Sequence, residues 1–74
     1  MELTKAVRRL MGFFGTNYYY SRSRIDHYLI LGDNGFYPIS EQLRKLNELE
    51  ELVGFKVRRN DYIIDVAKKM VERG

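Results

Sequence analysis

A chain of 74 residues with no cysteine has no disulfide to hold it, so apolar burial must supply nearly all of its folding free energy. That length allows one domain, residues 1–74, near the lower limit for a self-sufficient core. The lack of cysteine also removes thiol nucleophiles and, with a single histidine, almost every zinc arrangement. Six tyrosines and four phenylalanines supply the bulk that a short chain needs. A reducing compartment suits such a chain. Its N-terminal apolar run, Leu10 to Phe14, is too short and too glycine-interrupted for a signal core or membrane span, so the expectation is a cytoplasmic protein.

Periodicity predicts an α+β domain of order α-β-β-α-(β)-α, an antiparallel hairpin packed against helices. Leu3, Ala6, Val7, Leu10, Met11 and Phe14 form one helical stripe over residues 2–14, which frays at Gly12 and Gly15. Residues 16–24, rich in tyrosine and serine, suit a strand or an ordered loop. Ile25 to Leu31 is β-branched and aromatic and alternates at its start, which predicts a strand with His27 on the core face beside Ile25, Leu29 and Leu31. Asn34-Gly35 tolerates the positive φ of a tight turn, so Phe36 to Ile39 should return antiparallel, with Pro38 on an edge. Ser40 fits an N-cap, and Leu43, Leu46, Leu49, Leu52 and Val53 form the buried stripe of a helix stopped at Gly54. Phe55 to Arg58 allows a short third strand. Asn60 or Asp61 then caps a last helix with Ile63, Val66, Ala67 and Met70 inside.

No catalytic constellation emerges, so the expectation is a non-catalytic protein with no cofactor and no metal. Gly32-Asp33-Asn34-Gly35 lacks the lysine of a phosphate loop, and no closing glutamate makes it a calcium loop. The serines have no second histidine to activate them. Glu50 and Glu51 are adjacent, so on a helix they point about 100° apart and share no substrate proton. A helix-turn-helix fails because residues 54–60 are too long a turn and acidic residues open the supposed reading helix.

Binding is what remains. In an extended conformation Tyr18, Tyr20, Arg22 and Arg24 point to one side, and a continuing strand adds Tyr28. Rings interleaved with guanidinium groups suit nucleic acid, single-stranded above all, by stacking on bases and pairing with phosphates. Arg58 and Arg59, just ahead of the last helix, are auxiliary phosphate contacts in this reading. The alternative is a protein-binding inhibitor or adaptor that docks a basic surface, or a second copy in a homodimer, through Glu48, Glu50 and Glu51 or through the tyrosine cluster. Those carboxylates crowd the negative end of their helix, against the macrodipole, and therefore need an offset elsewhere. Charge is segregated: five basic and two acidic residues over 1–31, two and five over 32–54, six and three over 55–74. In size and charge segregation the chain resembles the small regulatory and inhibitor proteins of phages and plasmids.

Overall fold

A computed structural model describes residues 1–16, 22–32 and 35–74. Among these residues there are four helices and one two-residue strand pair: α1 (Leu3–Phe14), α2 (Ile25–Ile30), β1 (Leu31–Gly32), β2 (Gly35–Phe36), α3 (Ile39–Val53) and α4 (Ile63–Arg73). The chain divides into two compact units, one of residues 1–23 and 62–74, the other of residues 24–61.

Unit 1 is a helix pair. The apolar stripe of α1 buries Ala6, Val7, Leu10 and Met11, and that of α4 buries Ile63, Val66, Ala67 and Met70. The two helices pack together, as amphipathic helices this short must to be stable. Gly12 and Gly15 do not leave α1 frayed. Gly15 takes φ +70°, its N–H donates to the Gly12 carbonyl at 3.1 Å, and the Thr16 N–H donates to the Met11 carbonyl at 3.0 Å. This pair of hydrogen bonds around a left-handed glycine is a defined helix stop.

Unit 2 corrects the expected α+β architecture. The segment predicted as the first strand is helix α2, and Phe55 to Arg58 makes no third strand. Ile25 and Leu29 are fully buried, but His27 is exposed, not a core residue, and its ring meets that of Tyr28 edge-on at 4.9 Å. The run turns helical because its first donors find carbonyls far away in sequence. The Ile25 N–H donates to Asp61 and the Asp26 N–H to Arg59, each at 2.8 Å. These bonds satisfy two of the four orphan donors of a helix start without any side-chain cap.

The antiparallel return is confined to Leu31 opposite Phe36 and Gly32 opposite Gly35, followed by a bond from the Tyr37 N–H to the Ile30 carbonyl at 2.7 Å. Gly35 has φ +129°, in the region that excludes most side chains. Asp33 and Asn34, between the strands, lie outside the described residues. Pro38 stands at the head of α3 in extended conformation, so Ser40 falls inside the first turn and caps nothing. Helix α4 likewise starts after Tyr62, with no side-chain cap from Asn60 or Asp61.

Helix α3 buries a different stripe from the one its leucines predict. Leu49 and Gln42 are buried and Leu46 is half-buried, whereas Leu43 is 51% and Leu52 42% exposed. The five apolar residues span about half the helix circumference at 100° per residue, and Gln42 lies nearer the centre of the buried arc than Leu43 or Leu52. Gln42 is tolerated there because both ends of its amide are bonded. Its Nε2 donates to the Tyr37 carbonyl at 2.9 Å, and its Oε1 accepts from Arg59 Nη2 at 2.6 Å. Gly54 closes α3 at φ +82°, with its N–H on the Glu50 carbonyl at 2.8 Å.

Candidate nucleic-acid interface

Tyr18 and Tyr20 lie outside the described residues. Arg22 and Arg24 are exposed, and Arg24 is extended (φ −78°, ψ 154°) at the head of α2. The shared face expected for Tyr18, Tyr20, Arg22 and Arg24 does not continue to Tyr28, because the chain becomes helical at Ile25 and side chains then rotate by about 100° per residue. Tyr28 is half-buried on α2.

Arg59 is already engaged. Its Nε donates to Asp26 Oδ1 at 2.7 Å, and its Nη2 lies 2.5 Å from the same oxygen and 2.6 Å from Gln42 Oε1. With about two thirds of both side chains covered, this ion pair joins α2, α3 and the segment before α4, so Arg59 is a structural clamp. Arg58 is exposed; its backbone N–H is held by Asp61 Oδ2 at 3.0 Å. The backbone bonds to Ile25 and Asp26 bring Arg24, Arg58 and Arg59 to one junction of unit 2, where Arg24 and Arg58 remain exposed.

The acidic cluster also separates. Glu48 pairs with Arg44 at 3.0 Å, and Arg44 reaches back to Glu41 at 2.6 Å. Hydrogen bonding to Arg44 holds the Glu41 carboxyl below its ordinary range, and the same bond raises the arginine. Glu50 Oε2 accepts the Val57 N–H at 2.9 Å, which fastens the chain reversal after Gly54 to the end of α3. Glu51 is exposed and, among the described residues, has no ion pair. Two of the three carboxylates set against the helix dipole thus have local partners. An open groove of about 510 Å³ beside them is lined by Asn47, Glu50, Glu51, Phe55 and Lys56.

Sequence reasoning passed over a cationic face. Lys5, Arg8 and Arg9 are exposed on α1, and their spacing of three and four puts them on one face, opposite the buried Ala6, Val7, Leu10 and Met11. Unit 1 holds seven basic residues and three acidic ones; unit 2 holds six and seven. The outer face of α4 is balanced by comparison, since Asp65 and Glu72 stand three and four residues from Lys68 and Lys69. The signal was legible in the spacing of Lys5, Arg8 and Arg9 against the apolar stripe.

No group of three or more potential metal ligands occurs among the described residues, and none of their helices is long and apolar enough to cross a membrane. Searches against protein-family models, curated protein sequences and solved structures each found no match.

Proposed function

We propose that the chain is a small, non-catalytic regulatory protein that binds nucleic acid, with Lys5, Arg8 and Arg9 on the outer face of α1 as its main phosphate contacts. Arg22 and the Tyr18/Tyr20 segment, which follow α1 in the chain, extend that contact to the bases. The observation that carries this reading is that α1 has three basic residues and no acidic one, while its inner face is already spent on the helix pair: Ala6 and Leu10 are 0%, Met11 1% and Val7 7% exposed. A basic amphipathic helix with a free apolar face favours a membrane surface. One whose apolar face is buried offers charge alone, which suits a phosphate backbone.

The test is a salt titration of oligonucleotide binding. Each phosphate contact adds about 0.7 to the slope of log affinity against log salt for a single strand and about 0.9 for a duplex. Replacing Lys5, Arg8 and Arg9 together with glutamine should flatten the slope on a single strand by about 2 and leave the helical circular dichroism unchanged. A wild-type chain that binds neither form at low salt, or a triple variant with unchanged slope, would refute the reading.

A further inference from the structure

Unit 2 carries the most exposed of the large apolar side chains among the described residues. Phe36 is 78%, Ile39 64%, Leu43 51% and Leu31 43% exposed, and all four lie on the strand pair or the first half of α3. The groove of Asn47, Glu50, Glu51, Phe55 and Lys56 lies along the second half of the same helix. At 100° per residue, Ile39, Leu43, Asn47, Glu50 and Glu51 fall within an arc of about 120°, so knob and groove occupy one flank of α3.

We propose that this flank pairs with a second copy of the chain, α3 against α3, antiparallel about a two-fold axis that passes near Asn47 and Glu48. Such an axis sets each copy's Ile39 and Leu43 against the other copy's groove, and does so twice, because a two-fold interface is self-complementary. Charge selects this arrangement. Arg44 and Glu51 sit seven residues apart on the same edge of the flank, so antiparallel pairing brings each Arg44, already held by Glu41 and Glu48 of its own helix, beside the other copy's Glu51. Antiparallel pairing also keeps Glu50 and Glu51 of the two copies toward opposite ends of the interface, where parallel pairing would set like charges side by side. A polyanion is disfavoured here by those same carboxylates. The inference stands apart from nucleic-acid binding, since it concerns other residues and its test contains no nucleic acid.

The test is sedimentation equilibrium of the full chain over a concentration series, with a dimer mass expected. Glu51→Arg should weaken association by about tenfold, from two lost pairs and the repulsion that replaces them, and adding Arg44→Glu should restore it. Restoration separates this contact from a merely structural role. Ile39→Glu should yield monomer. Because the chain has no cysteine, Asn47→Cys gives an independent probe: near the axis it should oxidise to a covalent dimer far faster than Thr4→Cys on α1. A monomer at every concentration, a double reversal that fails to rescue, or equal cross-linking at the two positions would overturn the proposal. A mixed complex formed only on addition of a basic protein would overturn it too, in favour of a different occupant.

Discussion

Unit 1 and unit 2 are close in size, yet they hold together by different means. In unit 1 eight apolar side chains from two helices meet and the charged groups face outward, so sorting by hydrophobicity accounts for nearly the whole arrangement. In unit 2 the buried apolar set is Ile25, Leu29, Leu49 and Val57, and the rest of the closure is polar: Asp26 to Arg59, Arg59 to Gln42, Gln42 to the Tyr37 carbonyl, Glu50 to the Val57 N–H. Lys45 Nζ also sits 4.8 Å from the centre of the Tyr37 ring, which ties the segment after β2 to α3 a second time. A small unit can therefore economise on apolar core by clamping its segments with charge-assisted hydrogen bonds. The cost is that large apolar side chains such as Phe36 and Ile39 are left at the surface.

That contrast is best broken by cutting each kind of closure. Leu10→Ala, at a fully buried site of unit 1, should give the largest loss, about 2–5 kcal/mol by denaturant unfolding, because it removes buried carbons and leaves a cavity. Arg59→Ala should come next, at about 1–3 kcal/mol, since it strips a partner from Asp26 and leaves the Gln42 acceptor unsatisfied. Amide hydrogen exchange locates that effect. The N–H groups of Gln42 and of the first turn of α2 should lose protection, and an Arg59 variant as stable and as protected as wild type would show that unit 2 too rests on its apolar core. Glu41 should have the smallest effect. Its folded-state pKa is depressed by the Arg44 bond, so the stabilisation is complete above the ordinary glutamate pKa and is lost as the pH falls through the lower, folded value. Solvent screening of this surface pair keeps the effect small, and Glu41→Gln should flatten the acid limb of the stability profile only slightly.

The same contrast explains what the sequence discloses. Helices α1, α3 and α4 are long enough for a 3.6-residue period to stand out, and the glycine at the end of α3 and the one at the start of β2 can be read from their neighbours. Helix α2 could not be read this way. Ile25 and Leu29 are four residues apart, a spacing that serves both a strand's period of two and a helix's turn, so only His27 and Leu31 distinguish the two; both are exposed. What decides for the helix is a pair of carbonyls at Arg59 and Asp61, more than thirty residues away. Gln42 escaped notice for a related reason: a glutamine among leucines reads as surface until the arginine and carbonyl that bracket its amide are known. The candidate site divides likewise. Arg22 and Arg24 are exposed, Arg59 is diverted by an ion pair invisible to local pattern, and Lys5, Arg8 and Arg9 were legible in their spacing against the apolar stripe.

The bracketed amide of Gln42 has a polarity. Donation runs one way along the clamp, from Arg59 to Asp26 and to Gln42, and from Gln42 onward to the Tyr37 carbonyl. A guanidinium can only give and a carbonyl can only receive, so the amide between them has a single permitted orientation. A leucine would fill the space and make neither bond; a glutamate would satisfy Arg59 and turn an oxygen toward another oxygen. The junction therefore works as a directional key: it checks the sense of the groups on either side, and it fixes how the chain enters α3 from Tyr37.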